Sequence, residues 1–159
     1  MIDHRLRNIR LKDLFFVLLY GLVLPYVFGI VAGFADYYFS GMLPISIGAM
    51  LFWIIALYVG DAVRKQYEDP HLLYTIITGI GLVLTAVVIY TVPYVLTIAI
   101  ANEESRLLVF HPAFYLMYAT ILFNPVNWVT AFSFSLLFWL LSIGIGTYLG
   151  VRKTTQRIF

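Results

Sequence analysis

Between Pro70 and Asn102 the chain runs for 33 residues without one Asp, Glu, Lys or Arg. A charge-free apolar run of 18 residues or more is the pattern of a helix solvated by lipid. Two more uncharged blocks come before it, 14–35 and 37–60, and another follows at 107–151; all 10 Lys+Arg and 8 Asp+Glu lie outside the four. A soluble domain is about 25% charged. This chain is 11% charged and 62% hydrophobic, so it lacks the inventory for a water-facing surface. The expected fold is all-α: a polytopic membrane protein built as a four-transmembrane-helix bundle. It forms one integral membrane domain over residues 1–159, with one short interfacial or re-entrant helix on the outer face.

The first span is expected over about 14–35, roughly 33 Å of helix against a hydrocarbon core of about 30 Å. Pro25 at its centre frees a backbone carbonyl, which a neighbouring segment must meet. The second span is expected over about 44–60, with Pro44 in the first turn. The third covers about 71–100, opened by Asp69-Pro70 as cap and first helical residue. At roughly 45 Å it exceeds the core, so it must tilt, kink or emerge, and Pro93 offers the break. The last is expected over about 128–150, after an Asn124-Pro125-Val126-Asn127 turn. Small residues spaced by four recur in three spans: Gly29 and Gly33, Ala56 and Gly60, then Ser142, Gly146 and Gly150. Such spacings let helices approach closely.

Residues 107–123 are apolar but interrupted by His111-Pro112. A helix over about 112–123 covers about 18 Å, too short to cross. Charge bias agrees. With four spans and both termini cytoplasmic, Arg5, Arg7, Arg10, Lys12, Arg64, Lys65, Arg152, Lys153 and Arg157 lie inside and only Arg106 outside. A fifth span would leave six basic residues inside against four outside. The chain is thus expected as a multi-pass protein of the plasma membrane. The apolar run after Lys12 is longer than the 7–15 residues of a cleaved signal peptide, which makes it a retained span.

The formal charge of +2 does not point to nucleic acid, because the basic residues sit where span orientation accounts for them. The absence of Cys excludes disulfides, thiolate metal sites and Cys nucleophiles. No ionisable side chain lies near the middle of a span, where ion-coupled transport needs one. Glu103 and Glu104 with His111 form the densest polar group on the outer side. Such a set suits a divalent cation or general acid–base work. Its spacing matches no metal motif, so neither a metal nor a cofactor is assigned. A solvated loop with His111 capping the next helix accounts for the same residues.

Trp53 and Trp139 share a depth mid-span. They suggest a ligand cavity between the second and fourth spans, or ordinary packing with Ser142 accepting the Trp139 indole hydrogen bond. His111, Tyr115, Tyr118, Asn124 and Asn127 stand among aromatics, on the surface expected to meet a lipid headgroup, peptide or partner subunit. Asp36 and Asp61 read as charges at the water line, with Asp61 balanced by Arg64-Lys65. The threonines of the third span read as hydroxyls bonded to their own helix. The expected function is a non-enzymatic membrane subunit or binding module contacting membrane lipid, a small apolar ligand, a partner membrane protein or a second copy. A small-molecule transporter or oligomeric channel is one alternative. An outer-face enzyme using Glu103, Glu104 and His111 is the other.

Overall fold

The computed structural model describes residues 10–39, 42, 46–68, 71–101, 107, 111–130 and 133–155 (the backbone only at 121, 122 and 127). Every element among them is helical. These are α1 (Leu11–Phe39), α2 (Ile47–Arg64), α3 (Leu72–Ala101), α4 (Pro112–Leu122), α5 (Pro125–Thr130) and α6 (Phe134–Thr155). Helices α1, α2, α3 and α6 are long and apolar enough to cross a membrane.

Side-chain bonds fix the directions. Arg10 before α1 pairs with Glu68 after α2, and Tyr67 bonds Thr154 in the last turn of α6. Asp36 of α1 bonds Ser46 at the start of α2, at the other end of the bundle. The order is up, down, up, down, so α1 runs parallel to α3 and α2 parallel to α6. These like-directed pairs are the most closely packed. Helices in lipid would gain nothing from hydrophobic burial against one another, and close backbone approach would have to hold them. Glycines allow it. A Cβ at Gly33 would come within 2.5 Å of Val92 Cβ, and one at Gly29 within 3.2 Å of Thr85 O. Across α2 and α6, a Cβ at Gly150 would lie 2.7 Å from Ala56 O, and one at Gly60 would overlap the Gly150 carbonyl.

Pro25 has no N–H, and its ring collides with the carbonyl four residues back, that of Gly21. Helix α1 responds by widening to a π-turn over Leu19–Val23. The displaced Gly21 carbonyl lodges against α3 at Gly81, where any Cβ would overlap it. A Cα–H···O contact of this kind recurs at close helix crossings. The neighbour that the proline demanded is therefore glycine backbone.

Several boundaries differ from the expected ones. Helix α2 starts at Ile47, capped by Ser46, whose Oγ accepts from Ala49 N–H at 3.1 Å; Pro44 lies outside the described residues. Helix α3 is opened by His71, whose Nδ1 accepts the Leu73 N–H at 3.1 Å; Asp69 and Pro70 lie outside the described residues. It continues unbroken through Pro93 to Ala101. Trp128 belongs to the short α5 and not to the last span, which starts at Phe134 and runs to Thr155. The cap there is Ser133, accepting from Leu136 N–H at 3.1 Å. Helix α4 has 11 residues, about 17 Å of rise, and it packs on α3.

Candidate functional site

At the Arg10 end, α2 stops when Gln66 N–H turns back to Val63 O at 3.0 Å. The Arg64 side chain, only 8% exposed, curls over the turn. Its Nη1 donates to Tyr67 O at 2.7 Å and its Nη2 to Glu68 O at 3.5 Å. The guanidinium sits 5.0 Å from the Tyr67 ring centre, within cation–π range. A cation in the last turn also meets the negative end of the helix dipole. Tyr67 in turn donates its hydroxyl to Thr154 O at 2.5 Å, and Thr154 and Thr75 share a hydroxyl bond of 3.3 Å. This network fastens α6 to the α2–α3 turn. Burial raises the Tyr67 phenol above its ordinary 10.0, partly offset by the Thr154 bond and by Arg64. Asp61 finds its partner in Lys153 of α6 at 3.2 Å, rather than in Arg64-Lys65 as expected, because Arg64 is turned onto the carbonyls.

Between this turn and the first turn of α1 lies an open cleft of about 740 Å³. Four cationic residues line it, Arg10, Lys12, Arg64 and Lys65, against two anionic ones, Asp13 and Glu68. Arg10 and Glu68 pair at 3.3 Å, both well exposed, so the pair adds little to stability. At the opposite end the Asp36 carboxylate accepts from Ser46 Oγ and Gly48 N–H, each at 2.8 Å. A negative charge at a helix N-terminus is favourable there. Asp36 is thus a cap joining α1 to α2 as well as a charge in the last turn of α1.

The aromatic residues singled out from the sequence are held by α4 and its neighbours. Tyr115 is 2% exposed, with its ring edge-on to Tyr26 of α1 at 6.1 Å. Burial and the neighbouring Tyr26 raise its phenol pKa. Tyr118 stacks on Tyr94 at 6.5 Å, Tyr94 meets Tyr90 at 5.8 Å, and Tyr90 meets Trp139 at 5.5 Å. This ladder joins α4, α3 and α6. Trp53 is 38% exposed; its Cδ1 lies 3.3 Å from where a Cβ at Gly146 would be, and Phe52 fills the same space at 2.6 Å. Ser142 does not accept from Trp139, because its buried Oγ has no hydrogen-bond partner, and the same holds for Thr147 Oγ1.

His111 occupies the cap position of α4 without a side-chain cap bond, and Asn124 caps α5 by accepting from Val126 N–H at 3.0 Å. Asn127 lies within α5. Glu103 and Glu104 lie outside the described residues, so their relation to His111 does too. Along α3, Thr78, Thr85 and Thr91 bond back to Tyr74 O, Gly81 O and Val87 O at 2.7–2.8 Å. Among the described residues, no three His, Asp or Glu side chains gather as a metal site. Set against known protein families, curated proteins and solved structures, the chain matches none.

The Arg64–Tyr67–Thr154 network and the cleft were missed in the sequence. Their only local signal is a cation three residues ahead of a tyrosine, and the third member arrives from 87 residues away.

Proposed function

We propose that this chain is a non-enzymatic integral membrane subunit with four spans and both ends on the basic, cytoplasmic side. Its contact with a partner membrane protein is made through α4. One observation carries this reading. Helix α4 is fastened by the buried Tyr115, while Leu116 and Met117 on its outer side are 54% and 63% exposed. It is too short to cross a bilayer, so it offers an apolar ledge beside the spans. The packed axis supports the same reading. Phe52, Leu82 and Val92 press against glycines of neighbouring helices, and the hydroxyls of α3 are spent on their own helix. A transport reading draws on Ser142 and Thr147, whose hydroxyls are buried without partners on α6. Flux in liposomes would favour it.

A photo-crosslinking amino acid at Met117, compared with one at the exposed Val27 of α1, tests the subunit reading in native membranes. A discrete protein adduct from position 117 alone is expected. Identical lipid-only products from both positions would refute it. Orientation is tested with cysteines at Tyr38, expected to be labelled from outside, and at Thr155, expected to react only after permeabilisation.

A further inference from the structure

We propose that the cleft between the first turn of α1 and the α2–α3 turn binds the phosphate of an anionic phospholipid. This rests on the membrane reading above and is independent of the contact assigned to α4. Arg10 and Lys12 approach from one wall and Arg64 and Lys65 from the other, outnumbering Asp13 and Glu68. The side-chain network of Arg64, Tyr67 and Thr154 holds one wall in place, so Lys65 beside it stands on a fixed frame. At about 740 Å³ the cleft admits a whole headgroup. Phe16 supplies an apolar patch in the lining, and Leu11 and Phe15 are exposed in the adjoining turns of α1. A free inorganic anion has no use for that surface, whereas a phospholipid has a chain to lay on it. The cleft also lies at the end of the bundle where four apolar helices start or stop, which on the membrane reading is the depth of the phosphates.

The test uses the full chain in phosphatidylcholine nanodiscs with stepped fractions of phosphatidylglycerol, lipid retention being read by native mass spectrometry. Phosphatidylglycerol is expected to be retained over phosphatidylcholine. Lys12→Gln and Lys65→Gln, both at exposed positions, should each weaken retention about tenfold or more, the worth of a hydrogen bond to a charged group. Arg152→Gln, on the same end of the bundle but outside the cleft, should change it by no more than about fivefold, the diffuse attraction of one basic residue to an anionic surface. Unaltered melting of the lysine variants in pure phosphatidylcholine is expected to show that the fold is intact. An Arg152→Gln loss as large as that of Lys65→Gln would mean diffuse attraction and overturn the site, as would lysine variants that bind normally. Inorganic phosphate raising the melting point in pure phosphatidylcholine as much as phosphatidylglycerol does would overturn the lipid assignment. A chain that fails to enter the discs at all would overturn the membrane reading, and the site with it.

Discussion

Replacing Gly150 by Ala puts a methyl group 2.7 Å from Ala56 O and 2.5 Å from Leu82 Cδ1. Leu82 can rotate, but the carbonyl belongs to the backbone of α2. Ordinary contact needs about 3.4 Å or more, so α6 must draw back by roughly 0.7 Å. A gap of that size forfeits about a quarter to a half of each dispersion contact along the seam, and overpacking of this kind costs about 1–3 kcal/mol. The better helix propensity of Ala returns up to ~1 kcal/mol, leaving a net loss of up to about 2 kcal/mol. Gly60→Ala, aimed at the Gly150 carbonyl itself, should cost at least as much. Gly144→Ala is the control, since nothing lies within 4 Å of its Cβ position; it should be neutral or slightly stabilising. Reversible unfolding in mixed micelles, followed by tryptophan fluorescence, measures all three. Trp53 lies at the α2–α6 seam, its Cδ1 3.3 Å from a Cβ at Gly146, and Trp139 is buried nearby on α6. Gly60→Ala and Gly150→Ala variants as stable as Gly144→Ala would refute close α2–α6 packing.

Three further outcomes are expected. Asp36→Ala removes the acceptor for Ser46 Oγ and Gly48 N–H and should cost about 1–2 kcal/mol. Ser46→Ala should cost about 1 kcal/mol, and the double variant less than the sum, as read by thermal unfolding. Tyr67→Phe removes the bond to Thr154 O and should cost about 1 kcal/mol near neutral pH. Because the folded phenol titrates above its ordinary 10.0, its stabilisation is complete below that pH and lost as pH rises through the folded value. The gap between the two proteins should therefore close in alkali; a pH-independent gap would count against the bond. Leu84→Lys, mid-way along α3, should cost about 2.5–3.5 kcal/mol in a membrane-insertion assay, and unchanged insertion would count against α3 as a span.

The helices were legible because charge is segregated so sharply, and the small-residue spacings stood in plain view. What could not be read was which residue caps and which residue answers across the bundle. Ser46 directly precedes an apolar run and is an ordinary start signal, yet Pro44 competes for the same role two residues earlier. Asp61 has basic residues three and four positions on, within reach along one helix; only the fold brings Lys153 nearer while turning Arg64 away. Trp53 and Trp139 share a depth by residue count, but depth does not give azimuth: Trp139 is buried, whereas Trp53 at the edge of the α2–α6 seam is 38% exposed. His111 has the position of a cap without the bond.

The widened turn at Leu19–Val23 sets the phase of everything beyond it. Val17, Gly21, Pro25, Gly29 and Gly33 are all buried, and they recur every fourth residue. In a regular helix each such step overshoots by about 40°, so the stripe would wander roughly 160° around the rod by Gly33. One residue's worth of slack, about 100°, cuts that drift to about 60°. A straight partner can then follow the stripe without coiling around it. Pro25→Ala would do more than return a lost hydrogen bond: were the turn to close, Gly29 and Gly33 would swing about 100° away from Val88 and Val92.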